Sequence, residues 1–419
     1  MILYQGNIIE TNLEEKYVEG LYDACLQTLN QSSPVTAKKV IDACDQLYQK
    51  VIAGNYDDVI LPLLQANHIS DEKFRSMARL FSKEELEYKC KIELGDNYPH
   101  LPSLKNGIHR ELRPLGILFH IAAGNVDGLP AYSVIEGLLT GNINILKLPA
   151  GDNGLSVRLL SELIQFEPDL KDYIYVFDVP STDTSTLKKF ADIADGIVVW
   201  GGDEAVKAAR KMADVTTKII PWGHKLSFAY VTRQACEEDL YKLALHICET
   251  NQVFCSSCQG IYLDTENADE LSQFSEKFYP LFQKANLEKG KTDMGMRGQN
   301  SIHIYTDQLE QKDMKIMKGD GISLCLKTDR ELELSYLFRN VWIKALPHHL
   351  LIKTLKKHKN HLQTCGLLCS EDEKPLLADL LARAGIVRIT GPDMSRTVAG
   401  EAHDGEYALQ RYSRIVEID

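Results

Sequence analysis

The chain has 419 residues, of which 44% are hydrophobic and 25% charged, a composition typical of globular proteins rather than disordered or fibrous ones. Acidic residues outnumber basic ones by 59 to 47, and the net charge of −12 disfavours binding to nucleic acids and anionic membranes, because both require a positive field. No apolar run reaches the ~18 residues of a membrane helix, and the first residues lack the features of a secretory signal. The ten cysteines are therefore expected to be reduced thiols, and the cytoplasm is the expected location.

The first hundred residues are predicted to be helical, with apolar residues at helical spacing over 36–51 and 71–86. From Arg113 onward, apolar runs of strand length alternate with helical segments, which predicts a doubly wound, mostly parallel α/β sheet. The predicted strands of this block are 116–122, 143–148, 173–179, 196–200 and 218–221, and the predicted helices start near Asp127, Asp152, Thr182 and Asp203.

A second alternating block follows, so the sequence predicts two α/β domains with a boundary near Lys225. Its predicted strands are 228–232, 260–263, 302–305, 322–326, 341–346, 362–368 and 387–390, and its predicted helices are 237–249, 268–285, 350–357 and 374–384.

Residues 251–260 read Asn-Gln-Val-Phe-Cys-Ser-Ser-Cys-Gln-Gly and lie between a predicted helix and a predicted strand, where α/β scaffolds present functional loops. A cysteine followed by small polar residues can expose its sulfur, and the turn can aim backbone N–H groups at a bound carbonyl. Taken alone, Cys255 is more often a buried small hydrophobic residue than a nucleophile. Cys255 and Cys258 also form a Cys-x-x-Cys pair, so a redox or zinc site is a third interpretation; the only other close pair, Cys365 and Cys369, is distant in sequence.

Asn125 follows a predicted strand and precedes a predicted helix, so it lies at the carboxyl end of a strand, where open α/β sheets bind ligands. Its side-chain amide can stabilise an oxyanion. The alternative is an asparagine that serves the turn or caps the helix, which is the commoner role in that setting.

Lys147, Gly201 and Gly202 lie at two further strand ends. Lys147 can bind a ribose or a phosphate, and the two glycines allow a pyrophosphate to approach the backbone at a helix start. Each signal is weak alone, because a lysine at a strand end is usually solvated and Gly-Gly-Asp is usually a turn. The G-x-G-x-x-G fingerprint is absent. The histidines form no metal-ligand pattern, although His403, in a predicted turn, is an additional active-site candidate.

Taken in order, these segments resemble the aldehyde dehydrogenase superfamily. The Cys-Ser-Ser loop and the sequences of residues 362–366 and 403–409 are most similar to those of the acyl-CoA reductase branch, typified by the bioluminescence fatty-acid reductases. The resemblance extends from residue 113 to the C-terminus. The motifs that carry it are Pro114-Leu-Gly with Asn125 and Leu-Pro130, Leu146-Lys147, Trp200-Gly-Gly-Asp-Glu204, Gly223-His-Lys225 and Gln252-Val-Phe-Cys255-Ser-Ser.

The resemblance implies an aldehyde-dehydrogenase-like α/β fold. Residues 1–104 then form a helical segment packed on the cofactor domain, and 105–225 form the NAD(P)-binding domain. Residues 226–390 form the catalytic thiol domain, and 391–419 return to the cofactor or oligomerisation region.

For the site, the resemblance implies that Cys255 is the nucleophile and that Asn125, with the Cys255 backbone N–H, forms the oxyanion hole. Lys147 contacts the adenosine ribose or a 2′-phosphate on it. No metal is implied. The remaining implied cofactor-binding residues are Trp200, Gly201, Gly202, Gly223 and Phe338, the last beside the nicotinamide.

Two departures from the superfamily pattern bear on the reaction. Pro221 stands where hydrolytic aldehyde dehydrogenases carry a glutamate base, so a thioester on Cys255 is expected to hydrolyse slowly and to wait for hydride or a thiol. After Lys147 the chain reads Leu-Pro-Ala in place of a ribose-binding glutamate, which removes a charge that would repel a 2′-phosphate. NADPH is therefore the expected cofactor, with NADH compatible.

The expected activity is NAD(P)H-dependent reduction of an acyl-CoA, or of an acyl group delivered by a partner protein such as an acyl-protein synthetase, to an aldehyde. A homo-oligomer is expected. The open alternatives are a CoA-acylating aldehyde dehydrogenase running toward acyl-CoA, and a non-catalytic acyl-carrier subunit that partners the synthetase.

Overall fold

The computed structural model describes residues 1–9, 14–31, 34–66, 71–105, 107–122, 128–152, 154–290, 294–310, 314–395 and 398–419. The chain divides into two compact units. Unit 1 comprises Met1–Gly223 together with Val398–Asp419, and unit 2 comprises His224–Thr397.

The described part of unit 1 contains a seven-stranded sheet in the order β2-β1-β7-β6-β5-β8-β9. Strands β5 to β9 pair in parallel, and the β1–β2 hairpin adds to β7 in the antiparallel sense. The strands of this sheet are β1 (Ile2–Tyr4), β2 (Asn7–Ile9), β5 (Ile117–Ile121), β6 (Ile143–Lys147), β7 (Ile174–Phe177), β8 (Gly196–Trp200) and β9 (Lys218–Trp222).

Helices of unit 1 surround this sheet because their apolar faces pack against it and bury most of the core. One face of the central strands β5 and β8 packs in a second, smaller cluster with Trp222 and Tyr412. They are α1 (Glu14–Glu19), α2 (Leu21–Leu29), α3 (Ala37–Ile52), α4 (Asp57–Ala66), α5 (Asp71–Ala78), α6 (Lys83–Leu94), α7 (Leu129–Leu139), α8 (Leu155–Phe166), α9 (Thr184–Ile193), α10 (Asp203–Met212) and, near the C-terminus, α16 (Ala408–Arg411).

The C-terminal segment also completes a small antiparallel sheet of unit 1, in the order β17-β4-β3. In it, β17 (Ser413–Ile418) pairs along its whole length with β4 (His109–Pro114), and β3 (His100–Leu101) pairs with β4 on the other side. Strands about three hundred residues apart in sequence therefore lie side by side.

The described part of unit 2 contains a second seven-stranded sheet, in the order β12-β13-β14-β11-β10-β15-β16. All neighbours are parallel except the β12–β13 hairpin. Its strands are β10 (Leu226–Val231), β11 (Cys258–Leu263), β12 (Lys315–Gly319), β13 (Ile322–Lys327), β14 (Asn340–Ala345), β15 (Leu362–Leu368) and β16 (Arg388–Thr390), and its helices are α11 (Glu237–Thr250), α12 (Ala268–Glu288), α13 (Met294–Glu310), α14 (Leu351–Leu355) and α15 (Lys374–Ala384).

One predicted strand of unit 2 is wrong. Residues 302–305 belong to helix α13. A strand would place residues 302 and 304 on one face, but Ile302 is 67% exposed whereas Ile304 is 4% exposed, as a helix requires. The alternating β-branched and aromatic residues of this short segment gave a strand pattern that tertiary packing overrides.

The prediction for the first hundred residues is correct for α1 to α6 but misses the β1–β2 hairpin and β3. The predicted helix over 71–86 is also two helices, because the Ser82 side chain accepts from the Glu85 N–H and caps a new helix, α6. Strands β4, β12 and β17 were not predicted.

Candidate active site

The Cys255 loop connects the end of α11 to the start of β11. Asn251 and Gln252 have left-handed backbone angles, with φ values of 45° and 65°, and they turn the chain away from the helix axis. Cys255 is exposed at the far side of this turn, whereas Cys258 is already the first, fully buried residue of β11. The loop thus presents one of its two thiols to solvent.

Reciprocal hydrogen bonds fix the turn around Cys255. The Phe254 N–H donates to Ser257 Oγ at 3.0 Å, and the Ser257 N–H donates back to the Phe254 carbonyl at 3.0 Å. From strand β10, the Ser227 hydroxyl donates to the Cys255 carbonyl at 2.6 Å and accepts from the Thr364 N–H of β15 at 3.1 Å. The Cys255 backbone is therefore tied to two neighbouring strands of the sheet.

Two glutamines close the base of the loop. Gln252 Nε2 donates to the Cys258 carbonyl at 3.1 Å, and Gln259 Nε2 donates to the Gln252 carbonyl at 2.9 Å. His246, in α11, accepts the Cys258 N–H at its Nε2, at 3.3 Å. Burial lowers the pKa of His246 to about 4, so the imidazole is neutral at physiological pH, as an acceptor nitrogen must be.

The two thiols of the Cys-x-x-Cys pair have different environments. Burial raises the pKa of Cys258 to about 12, and its Sγ contacts the Gly260 carbonyl at 3.2 Å. A thiol in that state stays protonated at neutral pH and is a poor nucleophile or metal ligand. In the described part of the chain, no group of three His, Cys, Asp or Glu side chains is arranged to hold a metal ion.

A second segment, 335–339, packs against the Cys255 loop. The Phe338 N–H donates to the Asn251 carbonyl at 2.9 Å, and Arg339 Nε donates to Asn251 Oδ1 at 3.2 Å. Leu337, Phe338 and Arg339 all have positive φ, between 48° and 68°, which costs roughly 1–2 kcal/mol for each non-glycine residue. Phe338, predicted to lie beside a nicotinamide, is thus on a strained segment that contacts the Cys255 loop.

The candidate cofactor residues other than Phe338 lie at the carboxyl edge of the parallel strands of unit 1. Lys147 is the last residue of β6; it is 5% exposed, and its Nζ donates to Ser181 Oγ at 3.0 Å. Burial lowers the pKa of Lys147, and the negative charge of Asp178, just after β7, opposes that shift. Lys147 is therefore a buried cation rather than the solvated lysine that a strand end usually carries.

Gly201 and Gly202 lie between β8 and α10. The Gly201 N–H donates to the Trp222 carbonyl, and a Cβ on Gly201 would lie 3.0 Å from the Ala205 side chain. Gly202 is the N-cap of α10, and a Cβ there would meet nothing within 4 Å. The first turn of α10 is thus open to a ligand at Gly202, where the helix N-terminus favours an anion.

Trp200, Trp222 and His403 form an aromatic cluster behind this turn. The His403 ring centroid lies 5.1 Å from each indole, and the two indoles are 5.5 Å apart. Gly223 follows Trp222 directly and is the last residue of the first of the two chain segments that form unit 1. The cluster gives His403 a packing role that its position in a sequence turn did not indicate.

A buried polar network in unit 1 was missed by the sequence analysis. His120, in β5, contacts Ser133 Oγ at 2.8 Å and Asn144 Oδ1 at 3.0 Å, and Trp200 Nε1 donates to the same Ser133 oxygen at 3.0 Å. Burial lowers the pKa of His120 to about 4. Each member is an ordinary polar residue within an apolar segment, so only the assembled fold identifies the network.

Asn125, predicted to form the oxyanion hole, lies outside the described residues, as does Asp127. Helix α7, which follows them, begins at Leu129. No helix in the described ranges is both long enough and apolar enough to cross a bilayer.

A sequence model of the family described as "Acyl-CoA reductase (LuxC)" matches residues 33–415. A long-chain acyl-protein thioester reductase from Vibrio harveyi is 26% identical over 349 residues, which cover 80% of this chain and 71% of the relative.

The fold is that of the aldehyde dehydrogenases, as predicted. A putative aldehyde dehydrogenase PutA from Anabaena variabilis superposes with a TM-score of 0.73 at 15% identity, over 98% of this chain and 94% of that chain. A bifunctional proline utilization A protein superposes with a TM-score of 0.75 at 14% identity, and this chain covers 45% of it.

Proposed function

The chain belongs to the acyl-CoA reductase (LuxC) family and is an oxidoreductase of acyl thioesters, and we propose that it reduces a fatty acyl thioester to the aldehyde through an acyl intermediate on Cys255. The observation that carries the proposal is the contrast between the two loop thiols. Cys255 is exposed on a turn that is hydrogen-bonded on both sides, whereas Cys258 is buried with a raised pKa. Only the first has the access that a nucleophile needs.

We assign cofactor binding to unit 1 and the thiol chemistry to unit 2. The unit 1 residues fit a nicotinamide dinucleotide in two respects: a buried lysine at the end of a parallel strand, and an open glycine at the N-terminus of a ten-residue helix. Lys147 would hold the ribose side of the dinucleotide and Gly202 its phosphates. Trp200 and Gly201 precede Gly202 directly, and Gly223 lies beside Gly201 in space. When bound, the nicotinamide supplies the hydride.

NADPH is the cofactor we propose, with Lys147 as the partner of the 2′-phosphate. The Leu-Pro-Ala that follows Lys147 carries no acidic group, which supports the proposal. Asp178 opposes it, because its carboxylate lies close enough to Lys147 to affect the lysine pKa. The ratio of kcat/KM for NADPH to that for NADH tests the preference, and a ratio below one would reverse it.

The reaction then proceeds on Cys255. Its thiolate attacks the thioester carbonyl carbon, the donor thiol leaves, and an S-acyl enzyme forms. Asn125 and the Cys255 N–H stabilise the oxyanion during this step. Reduction of the acyl carbon gives a thiohemiacetal, whose C–S bond breaks to release the aldehyde and regenerate the thiol.

The acyl group must survive on Cys255 until it is reduced. Pro221, in the place of a water-activating glutamate, lies within β9 opposite Val199 and has no ionisable side chain. Slow hydrolysis of the S-acyl enzyme follows, since no base acts on water from this position.

The acyl donor we propose is an acyl-CoA or an acyl group held on a partner protein, because the Vibrio harveyi relative is named for an acyl-protein thioester. An acyl-protein synthetase is the partner class that would supply it. We also propose a cytoplasmic homo-oligomer; none of the ten cysteines, all of them among the described residues, forms a disulfide, as a reducing compartment maintains. Light scattering of the purified chain and cell fractionation test these points.

Two matched variants test the nucleophile. Cys255→Ala is expected to abolish aldehyde formation while retaining cofactor binding, and Cys258→Ala is expected to retain most activity. With acyl-CoA and no reduced cofactor, intact mass spectrometry should show one acyl adduct on the unmodified chain and on Cys258→Ala, and none on Cys255→Ala. Equal loss in both variants, or rapid release of free fatty acid from the adduct, would contradict the proposal.

A further inference from the structure

Gln259, the second residue of β11, lies where the Cys255 loop meets segment 335–339. It is 3% exposed, and its amide has partners on both sides. Its Oε1 accepts from the Ser335 N–H at 3.2 Å and from the Ser335 hydroxyl at 2.8 Å, while its Nε2 donates to the Gln252 carbonyl at 2.9 Å. One side chain therefore joins two segments that are distant in sequence.

Both joined segments have a backbone that needs external support. Gln252 has a left-handed backbone, and residues 337–339 are three consecutive left-handed non-glycine residues. Such conformations persist only where the surroundings determine them. Ser335 provides that support directly, because its hydroxyl also accepts from the Leu337 N–H at 3.0 Å. The amide of Gln259 is thus hydrogen-bonded to the residue that holds the strained segment and to the residue that begins the Cys255 loop.

We infer that Gln259 is a positioning residue that aligns the Cys255 thiol with the Phe338 segment, by using its amide as acceptor on one side and donor on the other. The inference rests on the proposed role of Cys255 as the nucleophile. It requires an amide in this orientation, since a group that only accepts satisfies Ser335 but repels the Gln252 carbonyl.

Gln259→Glu converts this requirement into a pH-dependent signal. The protonated carboxyl group accepts from Ser335 and donates to Gln252 as the amide does, whereas the ionised group faces the Gln252 carbonyl with no donor. The neighbouring groups do not titrate between pH 5 and 8: the pKa of His246 is about 4, that of Cys258 is about 12, and the Arg339 guanidinium stays charged although burial lowers its pKa.

The experiment measures two rates at each pH from 5 to 8, each divided by the rate of the unmodified chain. The first is the alkylation of Cys255 by iodoacetamide, located by peptide mass spectrometry; the second is kcat for aldehyde formation at saturating cofactor. For Gln259→Glu, both ratios are expected near one at pH 5 and to fall about tenfold by pH 8, because a hydrogen bond is lost and a repulsion gained. For Gln259→Leu, both ratios are expected to be low at every pH.

The matched control is Gln283→Glu, which makes the same charge change at an exposed position of α12 and should give flat ratios near one. Tryptophan fluorescence checks that each variant is folded at each pH. Ratios near one at every pH for folded Gln259→Leu, which has neither donor nor acceptor, would overturn the positioning role. If the alkylation ratio falls with pH but Cys255→Ala still forms aldehyde, the nucleophile assignment fails while the alignment of this thiol stands.

Discussion

Lys344 is a completely buried cation in β14, and its replacement should destabilise unit 2 strongly. Its Nζ lies 2.6 Å from Asp329 Oδ1 and 2.7 Å from Glu333 Oε1, and it donates to the Glu331 carbonyl at 2.7 Å. These contacts fix the position of residues 329–333, which lead directly to Ser335 and the segment that contacts the Cys255 loop. Lys344→Met keeps the volume of the side chain but removes the charge and all three contacts.

The size of this destabilisation follows from the solvent exposure of the carboxylates that contact Lys344. Breaking a fully buried ion pair costs about 3–5 kcal/mol, because the remaining charge is left without a partner. The carboxylates here are 41% and 37% exposed and can be partly rehydrated, and Glu333 keeps a second contact with Lys327 at 2.9 Å. We therefore expect a loss of about 2–4 kcal/mol in the free energy of unfolding of unit 2.

Urea unfolding followed by hydrogen exchange and mass spectrometry measures this loss, because peptides of β13 and β14 report on unit 2 alone. With a slope of about 2 kcal/mol per molar urea, the midpoint should fall by about 1–2 M. The control is Lys357→Ala, which removes an ion pair with Glu331 whose side chains are 46% and 60% exposed. That change should shift the midpoint by less than about 0.5 M. Equal shifts in the two variants would refute the reasoning from burial.

Three further outcomes are expected. Burial raises the pKa of Asp329, but the opposing effect of Lys344 is larger and holds that pKa below its usual value. The ionised Asp329 therefore stabilises the fold at pH values above its unfolded pKa. The difference in stability between the unmodified chain and Asp329→Asn, measured by urea unfolding, should be constant above about pH 5 and shrink as the pH falls below about 4. Asn125→Ala should lower kcat by about 10²–10³, as loss of one oxyanion donor does, and a near-normal kcat would return Asn125 to a turn role. Asp178→Ser should raise the NADPH-to-NADH ratio of kcat/KM by about fivefold, because it removes a negative charge beside Lys147, and an unchanged ratio would place the 2′-position elsewhere.

Most of the parallel strands could be predicted from the sequence because they are buried on both faces. Strands β7 and β8, for example, are continuous apolar runs, and each leads through a short turn to a helix. Strands β4 and β17 could not be predicted in this way. They carry several charged and exposed residues, and their stability comes from pairing with each other across the length of the chain.

The candidate site, like the fold, could be predicted only in part from the sequence. The exposed Cys255 and the packed Cys258 follow from a local motif, because a tight polar turn before a buried strand places one thiol outside and the other inside. The supports of that motif are not local. His246, Gln259 and Ser335 carry no sequence signal, since each is recognisable only by what it contacts in the folded chain.

The residues that support the Cys255 loop share a chemical property that suits the acyl-thiol intermediate proposed for this chain. Ser227, Gln252 and Gln259 hold the loop through hydroxyl and amide groups, and His246 does so as a neutral imidazole. Such groups keep their hydrogen bonds over the whole physiological pH range, and the acceptor nitrogen of the neutral His246 ring is already occupied by the Cys258 N–H. The ionised residues around Lys344 instead fix residues 329–333, which precede the segment 335–339 that packs against the loop. In the proposed reaction, a loop built in this way would keep the thiol in a fixed position and leave its thioester to the reductant, which is the requirement that separates a reductase from a hydrolytic dehydrogenase on the same fold.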